Sequence, residues 1–441
     1  MIDYLLKLLA AHKQGDPVGI TSICSANNFV VSAALEYARK RNSLVCIEST
    51  GRQVNQFGGY AGMQPEQFAK YVRSISEAMR LDCDKVVLGG DHLGPDAWRF
   101  ENSDVAMAKA KDLIRNCVYA GYRKLHLDTS MPCQDDMQNG RTQLSIKTIA
   151  DRTASLCEIA EQAAKAHTGN KVQLVYVVGA EVPTPGGMLE SRSDEIRVSS
   201  AKDVEDTISI MHRAFVERGL ESAWDRCLAL VVETGTSFGP ETVCDYDSKK
   251  TKDLKLLIEG EENMVFEAHS TDFQTRQSLS NMVYDHFAIL KVGPWLTFTT
   301  REALYALAYI EREWLAERRG VTLSRLPELM QELMDADSKH WQEHYQGDKA
   351  YLRYISAYGF SDRIRYYWSD RRCSEAIERL FENLTKYGIP LPLLSQYMPT
   401  LYEAVREGRI QCIPSRLVYG RIEEILDKYA KACGNYATVS S

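Results

Sequence analysis

From Gly19 to Arg318 the chain alternates short apolar runs with amphipathic stretches. The runs Gly19–Ser25, Leu44–Glu48, Lys85–Gly89, Lys124–Leu127, Lys171–Val178, Leu228–Val232, Met264–Ala268 and Phe287–Val292 predict eight strands. The stretches Val30–Arg41, Pro65–Arg80, Ser103–Ala120, Ser145–His167, Lys202–Arg218, Ser248–Glu259, Gln274–Tyr284 and Arg301–Arg318 repeat apolar residues at helical spacing. Eight strand–helix pairs in succession predict an α/β fold, a closed (β/α)8 TIM barrel over 1–318. The competing open, doubly wound sheet usually announces a glycine-rich first turn. Here the first strand runs into Ser25-Ala26-Asn27-Asn28, without G-x-G-x-x-G. Residues 319–441 hold no convincing strand and are rich in Arg, Tyr and Trp, as in Ile364-Arg365-Tyr366-Tyr367-Trp368. They predict a C-terminal helical region packed on the barrel, with Tyr419–Ala432 as its last strong helix.

A barrel carries its active site at the C-terminal ends of its strands. Those positions hold Asn27; Glu48 and Ser49; Asp91 and His92; Asp128; Glu181; Glu233; Glu267, His269 and Asp272; and Lys291. Convergence of so many ionisable groups on one rim is costly unless they pair or bind a ligand. Two histidines and a carboxylate suit zinc or manganese with an open position for substrate. Glu267 and His269 are two apart on one strand, and so are His126 and Asp128, so each pair shares a face. Ser270-Thr271-Asp272 after the seventh strand and Gly293-Pro294-Trp295 after the eighth are candidate phosphate cradles. Thr299 and Glu302 have capping-box spacing for the last barrel helix. His12, His167, His212, His340 and His344 fall on helical patterns and read as surface residues.

Charge and cysteine usage narrow the class. A net charge of -7 argues against a nucleic-acid or anionic-membrane partner, since both need a basic face. No apolar run reaches the length of a membrane span. Asp3 and Lys7 interrupt the N-terminal apolar stretch, which reads as an amphipathic helix and not a targeting segment. The 11 cysteines are scattered without a C-x-x-C, as expected for reduced core thiols of a cytoplasmic protein.

Several of these segments together resemble the class II ketose-bisphosphate aldolase superfamily, and within it the Z-type tagatose-bisphosphate aldolase subunits GatZ and KbaZ. The carriers are Gly90-Asp91-His92-Leu93-Gly94-Pro95, Glu48-Ser49-Thr50-Gly51-Arg52-Gln53, Glu181 with Gly186-Gly187, Glu233-Thr234-Gly235-Thr236, His269-Ser270-Thr271-Asp272 and Lys291-Val292-Gly293-Pro294-Trp295. The resemblance implies that Asp91 is a catalytic acid/base and His92 a metal ligand. It implies further ligands in Glu181 and in His269, or Glu267 one register earlier. The chain departs after the sixth strand, where Phe238 stands in the place of a zinc histidine, and Glu233 is the candidate to replace it. It also has Gly293 and Trp295 where catalytic aldolases carry Asn and Asp.

The implied activity is a metal-dependent 4-epimerase of a ketose or ketose 6-phosphate, converting tagatose 6-phosphate to fructose 6-phosphate by retro-aldol and aldol steps. A zinc or manganese ion on His92, Glu181 and His269 would polarise the C2 carbonyl, and Asp91 or Asp272 would take the C4 hydroxyl proton. Pro183–Gly187 would act as a lid. Asn27, Glu48, Ser49, Asp128, Ser270, Thr271, Lys291 and Gly293 are the expected substrate and phosphate contacts. The alternative is a non-catalytic subunit that stabilises a Y-type aldolase partner. A homo-oligomer is expected in either case. A Schiff-base aldolase using Lys291 or Lys124 is a further option. A kinase lacks support, because no G-x-x-x-x-G-K-[ST] loop is present.

Overall fold

The structure, a computed structural model, describes residues 2–136, 143–168, 173–180 and 197–434. Ten strands follow in chain order: β1 Ile20–Cys24, β2 Val45–Thr50, β3 Val86–Leu93, β4 Lys124–Leu127, β5 Val175–Val178, β6 Cys227–Val231, β7 Ser237–Phe238, β8 Val243–Cys244, β9 Val265–Ala268 and β10 Ile289–Val292. β1 to β6, β9 and β10 close into a parallel barrel in that order. β7 and β8 form a two-stranded antiparallel sheet outside it. The eight expected strands are therefore the eight staves of the barrel, a (β/α)8 fold.

β3 departs most from expectation. It continues four residues past Gly89, so Asp91 and His92 lie within the strand and not in the turn after it. Its register with β4 shifts between Gly90 and Leu93, and His92 takes a left-handed φ of 45°. Gly89 is required by crowding, because a Cβ there would come within 2.6 Å of the Glu48 carboxylate. Gly94 is required more strictly, because a Cβ would overlap the Asp128 carbonyl oxygen.

The helix after β10 also starts earlier than expected. It spans Pro294–Leu315, with proline at its first position, where the missing N–H costs nothing. Thr299 and Glu302 therefore lie inside it, and no capping box forms there. Pro414 likewise opens the last helix, Pro414–Ala432, ahead of the expected Tyr419. That helix packs on the helices Asn28–Arg41, Arg276–Tyr284 and Pro294–Leu315. Arg41 pairs with Asp427 at 2.5 Å and Lys40 with Glu423 at 2.7 Å. Apolar residues of the helices from Leu326 onward, such as Met330, Leu380 and Leu417, share one core with the outer faces of the strands.

The bottom of the barrel has a separate apolar core. The N-terminal helix Ile2–Lys13 sets Ile2, Leu5 and Leu9 against Ile20, Val87, Val175, Leu228, Val265 and Ile289. His12 on this helix is buried, against expectation. Its Nδ1 bonds the Val18 carbonyl at 2.7 Å, and its Nε2 lies 2.9 Å from His286. Among the described residues no helix is long and apolar enough to cross a membrane.

Candidate metal centre and active site

Period-two alternation points Glu48 of β2, Lys124 and His126 of β4, Glu267 of β9 and Lys291 of β10 into the barrel. Glu48, Lys124, His126 and Glu267 are fully buried. Lys124 Nζ lies 2.7 Å from Glu48 and 2.5 Å from Glu267. Lys291 Nζ lies 3.2 Å from Glu48 and 3.1 Å from Glu267, and it also contacts Asp91. Burial pulls both ammonium pKa values down, but the carboxylates around them outweigh it and hold both lysines charged. A charged amine is a poor nucleophile, so this pairing argues against Schiff-base chemistry at either lysine.

Three imidazoles stand above this floor. His92, His126 and His269 have ring centroids 4.9 to 5.0 Å apart. Each has a carboxylate on one ring nitrogen. His92 Nδ1 lies 2.6 Å from Asp128, His126 Nδ1 2.9 Å from Asp91, and His269 Nε2 3.2 Å from Glu267. For His92 and His269, donation to the carboxylate leaves the other ring nitrogen as a lone pair, the usual arrangement behind metal-bound histidines. His126 Nδ1 also accepts from the His92 backbone N–H at 3.2 Å. His126 Nε2 is buried and has no hydrogen-bond partner. Burial lowers the pKa of His126, and it takes His269 down to about 3, so both are neutral and able to ligate. Burial also works against protonated His92, but Asp91 and Asp128 overcome it and raise its pKa. One ligand atom each from Asp91, His92, His126 and His269 falls within a 4.8 Å cluster.

The charge balance agrees with that donor set. Glu48, Asp91, Asp128 and Glu267 bring four negative charges against the two of Lys124 and Lys291. With His126 and His269 neutral and His92 losing its proton on ligation, a divalent cation would balance the remainder. The expected pairing of His92 with His269 is present. The third imidazole comes from β4 and not from the segment after β6. Phe238 there is a buried wall residue, packed 5.4 Å from Phe273. Glu233 is not in the ligand cluster: its backbone N–H donates to the Ser199 hydroxyl and its carbonyl accepts from the Ser199 N–H. Glu181 and Pro183–Gly187 lie outside the described residues.

Other expected contacts divide sharply. Ser49 faces away from the mouth, because Glu48 faces in. Its hydroxyl lies 2.8 Å from Tyr122 in the helix layer. Thr271 is spent on the Lys291 carbonyl and the Tyr429 hydroxyl. Asn27 lines the cavity but caps its own helix, accepting from Phe29 and Val30. Asp128 positions His92 and is itself held by Ser130. Ser270 and Gly293 line the cavity. The cradle expected at Gly293, however, already contains an anion: Asp272 Oδ1 accepts from the N–H groups of Gly293 at 3.1 Å and Trp295 at 2.8 Å. A helix N-terminus that holds an internal carboxylate is not open to phosphate. Burial raises Asp272 to about 6, although those two N–H bonds and Arg365 oppose it.

Above the imidazoles is a cavity of about 590 Å³. Asp91, His92 and His269 form its base, and Arg52, Tyr60, Arg365 and Tyr366 are on its upper wall. The upper-wall residues were not singled out as site residues from the sequence. For Arg365 and Tyr366 the signal was the density of Arg and Tyr in 363–368, which periodicity could not place.

A family model described as D-tagatose-1,6-bisphosphate aldolase subunit GatZ/KbaZ-like matches residues 5–434. A solved structure of a probable tagatose 6 phosphate kinase from Sinorhizobium meliloti 1021 is 38% identical. The match covers 94% of this chain and 100% of that one, with a TM-score of 0.84. Fructose-bisphosphate aldolase (Fba) from Campylobacter jejuni is a distant likeness, 14% identical over 87% of this chain and 94% of its own, with a TM-score of 0.45.

Proposed function

The chain belongs to the GatZ/KbaZ-like family, and from that premise we propose that it is a metal-dependent ketose-phosphate 4-epimerase that interconverts tagatose 6-phosphate and fructose 6-phosphate. The observation that carries this reading is the cluster of three imidazoles, each with a carboxylate beside one ring nitrogen, of which His92 and His269 face the cavity and His126 is buried behind them. His92, His126 and His269 would hold a divalent metal, which would supply electrophilic polarisation of the sugar's C2 carbonyl. The protein's own groups do the rest. Asp272 stands on the cavity wall with its pKa raised to about 6, and takes the C4 hydroxyl proton. The C3–C4 bond breaks, and its electron pair passes to the C2–C3 fragment. The aldehyde fragment turns its other face, the bond re-forms, and Asp272 returns the proton. Asp91 stays ionised between Lys291 and His126 and orients that imidazole.

The second reading, a stabilising subunit of a tagatose-bisphosphate aldolase, is favoured by the family description itself. Against it stands the cost of burying so many charges for a scaffold alone. The S. meliloti relative bears a kinase description, but this sequence offers no phosphate-binding loop for a nucleotide. The deciding assay uses the purified chain alone with tagatose 6-phosphate and Mn²⁺ or Zn²⁺, following fructose 6-phosphate by a coupled enzyme. Turnover that chelation abolishes is the expected result. No turnover alone, with stimulation of an added Y-type subunit, would establish the subunit role instead.

A further inference from the structure

We propose that Arg52 and Arg365, with Arg363 buried behind the Tyr366 hydroxyl, form a phosphoryl-binding subsite at the top of the cavity, which takes the phosphate of a phosphorylated ketose. The inference rests on the sugar-processing reading above and adds to it where the substrate's charge is held. Arg365 donates to the Ser361 carbonyl at 2.6 Å, the Asp362 carbonyl at 3.0 Å and the Tyr366 hydroxyl at 2.9 Å. Arg363 donates to the same hydroxyl at 3.2 Å and lies 2.7 Å from the His344 ring. Neither guanidinium forms an ion pair with a carboxylate among the described residues. Asp362, the carboxyl nearest in sequence, points to Thr297 at 2.5 Å. Arg52 is the exception, with a two-point bond to Asp96 at 2.6 and 2.9 Å.

The charge sum is informative. Arg52 and Asp96 cancel, and His344 is held neutral by burial and by the arginines, its pKa lowered to about 3. Arg363 and Arg365 bring two positive charges, offset in part by the Asp362 and Asp272 carboxyls that act on Arg365 without pairing with it. A phosphate monoester carries close to two negative charges near neutral pH, whereas a sugar carboxylate brings one. The planar forks of arginine also suit phosphate oxygens better than a lysine would. The guanidinium groups of Arg363 and Arg365 converge on the Tyr366 hydroxyl at 3.2 and 2.9 Å. Burial pushes its pKa up, yet the three arginines outweigh this and hold it below the ordinary phenol value. Tyr60 packs edge-on against Tyr366 with centroids 4.6 Å apart, which fixes the ring. Arg52, Arg365 and Tyr366 share the cavity with His92 and His269, so one ligand can reach both ends. The usual anion site of this fold, at the helix after the last strand, is filled by Asp272.

The test is calorimetric titration of the full chain with tagatose 6-phosphate, with tagatose, and with inorganic phosphate as competitor. The phosphorylated sugar should bind roughly 10- to 100-fold more tightly than the free one, as expected for losing or gaining a charge-assisted contact. Arg365→Gln should remove most of that difference and leave binding of free tagatose unchanged. Inorganic phosphate should displace the sugar phosphate from the unmodified protein, a measurement that stands even where the variant does not fold. Equal binding of the two sugars, equal weakening of both by Arg365→Gln, or failure of phosphate to compete would each overturn the subsite. Binding needs no turnover. A chain that holds sugar phosphate through Arg365 yet never epimerises it would refute the functional reading and leave the subsite intact.

Discussion

The two ends of the barrel interior are built from the same eight strands and present opposite side chains. At the bottom, Leu5 and Leu9 of the N-terminal helix meet Val87, Val175 and Ile289 in a wholly apolar plug. A few residues further along the same strands stand Glu48, Asp91, Lys124, His126 and Glu267, all buried and all ionisable. Burying apolar area stabilises the fold. Burying charge costs free energy unless every group is paired, so the upper end is tolerated only as a network. The bottom therefore reads as stability and the mouth as chemistry, and the two should respond separately to substitution.

The largest expected effect is at the imidazoles. His92→Ala or His269→Ala should lower kcat by about 1000-fold or more, since removing a ligand forfeits several kcal/mol of charge stabilisation. Bound metal should fall in parallel by elemental analysis, measured at temperatures where the variants are folded. Retention of full metal content in both variants would remove the metal centre from this cluster.

Next is Lys124→Met, which leaves Glu48 and Glu267 with Lys291 in place of two shared cations. Stripping one partner from a buried ion network costs about 3 to 5 kcal/mol, measurable by urea unfolding. Leu5→Ala at the other end should cost about 3 kcal/mol through the cavity it opens. The contrast lies in activity: Leu5→Ala should keep the kcat of the parent at temperatures where it is folded, and Lys124→Met should not. Equal loss of activity in both would mean that the two ends are not separable.

How far this contrast could be read from sequence depends on the element. The strands were legible because each is a short apolar run between helical patterns, and every barrel strand lies where its run does. His126 was placed by alternation alone, since it shares a face with Asp128. Ser49 was misplaced for want of the same rule: a residue next to inward-facing Glu48 must face out. The early start of the helix at Pro294 was obscured by Thr299, whose capping-box spacing competed with proline's preference for the first turn. Asp272 as the occupant of the Gly293 cradle required knowing that two loops meet, which no local pattern contains. The same holds for Arg363 and Arg365, whose composition was visible and whose partner wall was not.

The last effect expected, which vanishes near pH 4, is also the one that sets stability against function at a single group. Burial raises Asp272 to about 6 against an ordinary 3.8. The unfolded chain therefore releases this proton at lower pH than the folded one. Between pH 3.8 and 6 the folded state holds more protons, so stability falls as pH rises, by about 1.4 kcal/mol per unit, and levels off above 6. Asp272→Asn keeps an oxygen for the Gly293 and Trp295 N–H groups and removes the ionisation. It should be more stable than the parent at pH 8, by up to about 3 kcal/mol, and indistinguishable from it near pH 4. The rate should move the other way. The parent's kcat should drop roughly tenfold per unit below pH 6 as the base is protonated, and the variant should lose that limb together with its activity. A variant that keeps the limb would assign it to another group, and Asp272 would then be only the carboxylate that caps the last barrel helix.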